Sequence, residues 1–161
     1  MTERLFVVQL HRATARHYDV RFEIDGMLVS WAVPKGPTLD PDVRRLAIHV
    51  DDHELDHADV EGVLGRGDVI IWDRGTWEPY KSDDPASEVE AGELHAEVYG
   101  EKLRGRFVLV RPKRGKAKDW LLLHKHDAEA VPGWDPEQFP RSVKSGRTND
   151  DVRDLDGADR G

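Results

Sequence analysis

The strongest constraint on the fold is a hairpin written into residues 18–33. Tyr18, Val20, Phe22 and Ile24 alternate with Asp19, Arg21 and Glu23, the two-residue period of a half-buried strand. Asp25-Gly26 follows, a dipeptide suited to the positive φ of a tight turn, and Leu28 to Val33 returns as the partner strand. Pro34-Lys35-Gly36-Pro37 then breaks it. Comparable runs recur at Leu5–Leu10, Leu46–Val50, Asp68–Trp72, Leu94–Tyr99, Phe107–Val110 and Trp120–His124. Asp73-Arg74-Gly75 reads as a turn, Asp42 to Arg45 as a helical turn, and Lys81 to Gly92 as an exposed acidic loop. Many short strands at short spacing predict a mainly β fold. The expectation is a small closed or partly open barrel of about eight strands with few short helices.

The expected domain covers residues 1–126. From Asp127 onward Pro, Gly and charge dominate, which predicts a polar tail over 127–161 that is partly disordered, with Trp134 and Phe139 docking locally and disorder from Ser142. The chain has no cysteine, so any metal must sit on His, Asp or Glu. No apolar run approaches the roughly 20 residues of a membrane span, and the first residues lack the plan of a signal peptide. Membrane association is therefore not expected, and the default location is cytoplasmic.

The net charge of −8 argues against a general nucleic-acid coat protein. The charge is unevenly spread. Residues 47–101 carry three Lys and Arg against sixteen Asp and Glu, whereas residues 102–126 carry nine against one. A basic block in an acidic chain can meet phosphates, although such a block is also an ordinary solvated loop.

Chemistry concentrates in three places. On the strand 18–24, the residues His17, Asp19, Arg21 and Glu23 project from one face, with His17 and Asp19 roughly 6 to 7 Å apart. One ion can bridge that gap, His11 can supply a third ligand, and Glu23 can orient a ligand from behind. The second place is Lys35 between two prolines, with Arg44 and Arg45 downstream. A lysine in a stiff loop and guanidinium forks suit phosphate oxygens, so with Arg21 they form a candidate anion clamp. The third is Asp51-Asp52-His53-Glu54-Leu55-Asp56-His57, where carboxylates predict a raised His53 pKa and a cationic ring.

Phe6-Val-Val-Gln9, His11, His17-Tyr-Asp-Val-Arg-Phe-Glu23, Ser30-Trp-Ala-Val-Pro-Lys-Gly-Pro37, Arg45-Leu-Ala47, Asp52-His53, Gly67-Asp-Val-Ile-Ile-Trp-Asp73 and Gly100-Glu-Lys-Leu103 occur in that order. Together they resemble the 3′-phosphoesterase module of the end-joining DNA ligase D of bacteria and archaea, over most of residues 5–126. The resemblance implies a β-barrel with a crescent-shaped site on its outer surface. It implies manganese-dependent removal of a 3′-terminal ribonucleoside, then hydrolysis of the 3′-phosphate left behind. By resemblance His11, His17 and Asp19 bind the metal, Arg21, Lys35 and Arg45 surround the phosphate, and His53 is essential to catalysis, with Glu23, Asp52 and His57 behind them. The implied partners are 3′ ends of primer-template DNA and a ligase or polymerase of an end-joining pathway.

Three departures stand out. His57 occupies a position where the family usually has tyrosine. The Val60–Asp68 connection is short. His11 lies near the start of the chain, where the family carries a basic arm that aids the second step, so the first step is the firmer expectation. Without a ligase or polymerase region, the chain reads as a stand-alone version or an excised module.

Two other readings remain open from the residues alone. An iron oxygenase of the barrel type would use His17 and Asp19 with a distal histidine, for which His95, His124 and His126 are candidates. A non-catalytic nucleic-acid or protein adaptor would use the Lys102–Lys125 block.

Overall fold

Apolar and polar residues alternating along a strand give it one face for a core, and nine such strands order this chain. A computed structural model of the protein describes residues 3–158. The strands are β1 (Arg4–Arg12), β2 (Arg16–Ile24), β3 (Met27–Val33), β4 (Arg44–His53), β5 (Gly62–Leu64), β6 (Gly67–Pro79), β7 (Glu93–Gly100), β8 (Arg104–Val110) and β9 (Asp119–His124). Two α-helices, α1 (Pro85–Ala91) and α2 (Asn149–Ala158), and a 3-10 turn at Leu55–Asp59 complete the elements used below.

The strands run β1-β2-β3-β4-β9-β8-β7-β6, each antiparallel to the next, and β6 pairs back with β1. This closes the eight-stranded barrel that the strand spacing predicts, with β5 added outside the ring on β6. Closure leaves the ring without an open edge, the usual template for aggregation. The even residues of β2, from Tyr18 to Ile24, all face inward and are buried, as their alternation requires. Tyr18 and Phe22 meet Trp31, Trp72 and Trp77, and Trp120 packs on Trp31, each tryptophan nearly inaccessible. Burying side chains of this size stabilises the fold by about 1.5–3 kcal/mol each before entropy is counted.

The structure departs from the sequence expectations in four places. Residues 73–75 are not a turn but the middle of the long strand β6. The buried Asp73 carboxylate accepts backbone N–H groups of Arg74, Glu101, Lys102 and Leu103, so its side chain caps a neighbouring turn instead of making its own. A helix α1 lies in the expected loop 81–92, because Asp84 caps the Ser87 N–H and Pro85 fits the first helical position. Arg44 and Arg45 are not helical but open β4.

The fourth difference is the tail. Charge and low hydropathy predict disorder from Ser142, yet the backbone is defined to residue 158 and contacts hold the segment as far as Arg153. Two anchors hold the approach at residues 134–141, and a third holds the segment beyond Ser142. Trp134 stacks on Phe139 and meets Trp72 edge-on. Lys102 lies over Trp72 and donates to the carbonyls of Phe139 and Arg141, and burial pushes its pKa down to about 8. Asn149 donates to Leu10 O and Asp68, while Val152 is buried. Residues 159–161 lie outside the described residues.

Candidate active site

The β1–β2 hairpin builds the site, since a directly opposed pair on antiparallel strands shares a face. His11 opposes His17 and Gln9 opposes Asp19, so β1 and β2 together present all four outward. The strands β1 and β2 are joined by only three residues, which fixes this register.

One nitrogen of His11, one of His17 and one carboxylate oxygen of Asp19 all lie within 4.8 Å of one another. Ligands at about 2.0–2.2 Å from one ion stand roughly 3 to 4 Å apart, so this group needs little adjustment to share a cation. The His17 Nδ1 lies 3.3 Å from Ala15 O and its Nε2 lies 3.3 Å from Asp19 Oδ1. A proton on Nδ1, donated to that carbonyl, leaves the Nε2 lone pair facing a carboxylate, and a cation between them resolves the conflict. Two imidazoles and a carboxylate suit borderline and hard divalent ions.

Electrostatics within the trio are consistent with that use. Burial, then the neighbouring His17, lowers the His11 pKa. The hydrogen bond to Asp19 raises that of His17 despite burial. For Asp19 burial alone would raise the pKa, but His17, Arg21 and His11 together hold it below the ordinary carboxylate value.

Arg21 is buried behind the trio. It donates from Nε to Gln9 Oε1 (2.7 Å) and from Nη1 to Ser30 Oγ (2.9 Å), while Nη2 lies 3.2 Å from Asp19 Oδ2. Gln9 donates in turn to the carbonyls of His57 (2.8 Å) and Val60 (3.1 Å), which ties the 3-10 turn across the hairpin. Gln9 and Ser30 therefore hold the clamp, and neither carried a signal of its own in the sequence beyond being polar within an apolar run.

His53 and His57 stack at 4.4 Å between centroids, with 23° between their planes. The expectation of a raised His53 pKa is wrong: burial lowers it, Arg21 lowers it further, and these outweigh Asp19, Asp51 and Asp52. The same causes, burial first, lower His57. The acidic stretch 51–56 is exposed to water for the most part, whereas Arg21 faces the rings through the protein.

Lys35 is exposed at the turn Val33–Gly36, closed by Gly36 N donating to Val33 O. Among the described residues its side chain has no hydrogen-bond or ion-pair partner. Val33 opposes Tyr18, so the turn sits beside the His17 end of β2. Arg45 donates to Gly36 O and braces that turn, from the side of β4 that also carries buried Ala47. Glu23 lies at the far end of β2 and accepts the Leu5 N–H. Asp52 is exposed, next to His53.

The histidines considered for a distal ligand are engaged elsewhere. His124 is buried with its nitrogens at Lys125 O and Arg104 O, His95 meets Tyr80 and Glu93, and His126 meets Asp42. Among the described residues, His11, His17 and Asp19 form the only group of three or more His, Cys, Asp or Glu close enough to hold an ion.

Comparison with known proteins identifies the family. The family model for the DNA ligase D 3′-phosphoesterase domain matches residues 9–111. The chain is 50% identical, over 152 residues and 89% of its length, to the multifunctional non-homologous end joining protein LigD of Pseudomonas aeruginosa. It is 46% identical over 112 residues, 66% of its length, to the multifunctional non-homologous end joining DNA repair protein LigD of Mycobacterium tuberculosis. The LigD protein of Mycolicibacterium smegmatis is 39% identical over 145 residues, 83% of the chain. These alignments cover 18%, 14% and 18% of the three relatives, so the chain corresponds to less than a fifth of each. With a family match over more than half its residues and 50% identity to a relative over 89% of its length, this chain belongs to the DNA ligase D 3′-phosphoesterase domain family.

Proposed function

We propose that this chain is a metal-dependent phosphoesterase that heals 3′ ends of nucleic acid during end-joining repair. The substrate is a primer-template whose 3′ end carries a ribonucleotide or a phosphate. The first step removes the terminal ribonucleoside and leaves a 3′-phosphate, and the second hydrolyses that phosphate to a 3′-hydroxyl. The observation that carries the reading is the convergence of His11, His17 and Asp19 within 4.8 Å, directly against a buried, fully braced arginine.

The ion the trio suits best by family resemblance is manganese, which when bound polarises a phosphate oxygen and lowers the pKa of water. The protein's own residues do the rest. Arg21, fixed by Gln9 and Ser30, keeps Asp19 ionised and adds positive charge beside the phosphate. Lys35, exposed and without a partner among the described residues, would approach the non-bridging oxygens as charge builds there. His53, held neutral by burial and Arg21, is suited to accept a proton from attacking water at a ring nitrogen. His57, stacked on it, fixes its ring plane. Partner proteins of this reading are a ligase or polymerase of the same pathway, in keeping with the relatives' end-joining names.

The test is a labelled primer-template ending in one ribonucleotide, incubated with manganese and wild-type protein or His17→Ala, with and without chelator. Wild-type protein should shorten the primer only without chelator. His17→Ala should lose that activity and keep its fold, because the ring sits on the outer face. Equal cleavage by both proteins, or cleavage that ignores chelator, rejects the assigned site.

A further inference from the structure

Resting on that reading, we propose that the outer face of β4 and β9, with the β8–β9 loop at its rim, is the docking surface for the phosphodiester backbone of the duplex behind the processed 3′ end. The register carries the placement. Asp19 opposes Ala32, Ala32 opposes Ile48, and Ile48 opposes Asp119, so one row of outward positions runs from the trio to the start of β9. With strands about 4.8 Å apart, that row spans roughly 14 Å. Between its acidic ends at Asp19 and Asp119 the row is apolar, and beside it Leu46, 44% exposed, opposes Leu121.

At the end of the row stands the loop 111–118. Lys113, Arg114, Lys116 and Lys118 are exposed there, and among the described residues none of the four side chains has a carboxylate partner. The loop backbone is nevertheless pinned, by Arg111 N to Gly92 O, Asp119 N to Lys116 O and His49 N to Lys118 O. Four unneutralised cations on a held backbone are unusual in a chain whose net charge is −8. On the other flank Arg44 and Lys125 are exposed, Arg44 roughly 13 Å along β4 from Ile48. A polyanion lying over an apolar floor between two basic rims meets its complement on both sides. The groove between Leu55–Asp59 and β1 and β6 is lined by Asp59 and Glu101 against Arg74, a balance that does not favour a polyanion.

The triple variant K113Q/R114Q/K116Q tests this against R4Q/K81Q/R147Q, which removes the same charge elsewhere. Binding of a primer-template with a short or long duplex stem is measured across a salt series without metal, and cleavage is then measured with manganese. The proposal expects wild type and the control to bind the long stem more tightly than the short one. The loop variant should lose that preference, bind the long stem about tenfold more weakly, and show a salt slope reduced by about 0.9 per lost phosphate contact. Its turnover at saturating substrate should match wild type. If the loop variant binds and responds to salt as the control does, while both cleave, the docking surface is refuted and the functional reading stands. If wild type neither binds nor cleaves, both fall.

Discussion

At the scale of single residues, the site separates groups that present chemistry from groups that hold them. Lys35 belongs to the first kind, being exposed and unpaired among the described residues. Lys35→Ala should lower turnover at saturating substrate by about 10- to 100-fold, as loss of a transition-state cation does, and leave the melting temperature unchanged. Unchanged turnover would remove it from the clamp. His49 belongs to neither kind and acts on the fold instead. It stacks on Trp31 (4.9 Å, 18°) and meets Trp120 edge-on, and burial holds its pKa below the ordinary imidazole value. Its folded pKa therefore lies below its unfolded one. As pH falls through about 6.5 the unfolded chain takes up a proton first, and stability falls until the folded pKa is passed. His49→Gln should flatten part of the decline in urea midpoint between neutral and mildly acid pH, a slope it shares with His11, His53 and His57. A decline identical to wild type would show that His49 is not desolvated.

Among the elements, irregularities in pairing matter more than the strands themselves. Ser30 opposes Val50, so uninterrupted pairing would set Leu28 against Asp52. The register shifts instead, and Leu28 opposes His53. A one-residue shift moves every following side chain to the other face, and here it turns His53 toward Arg21 and the trio. The loop after β3 has a similar constraint. Gly36 has φ +83, and a Cβ there would lie 2.8 Å from Tyr18 Cε1. Gly36→Ala should destabilise the fold by about 1–3 kcal/mol, since a left-handed backbone and a ring contact both oppose it. It should also weaken catalysis, because Gly36 O anchors Arg45 and the turn carries Lys35. Equilibrium unfolding and the end-trimming assay read the two effects separately.

For the whole molecule, the barrel is stapled by its own C-terminal segment. Asp68, 1% exposed, accepts from Arg12, Asn149 and Arg153, which joins β1, β6 and α2 next to His11. Asn149→Ala removes one donor to Asp68 and one to Leu10 O. It should cost about 1–3 kcal/mol in urea unfolding, as hydrogen bonds to buried or charged groups do. Because Leu10 and Arg12 flank His11, the manganese concentration for half-maximal activity should rise as well. Unfolding free energy and metal requirement both equal to wild type would mean that α2 merely rests on the barrel.

Local patterns determined a large share of this protein. The period of residues 18–24 and the turn at Asp25-Gly26 specify the β2–β3 hairpin, and the same alternation puts His17, Asp19 and Arg21 on one outer face. Strand spacing alone specifies a mainly β barrel, because each short strand has a face to bury and no helix to cover it. Tertiary structure decided whatever depends on partners distant in the chain. The charge state of His53 follows from desolvation and Arg21, not from its acidic neighbours in sequence. The bracing roles of Gln9 and Ser30 exist only once three strands lie side by side. The order of the segment from Ser142 to Arg153 comes from docking on Glu61, Ile71, Leu10 and Asp68, contacts that no local composition can report. Periodicity is a property of neighbours along the chain, whereas burial and the field at a side chain are properties of neighbours in space.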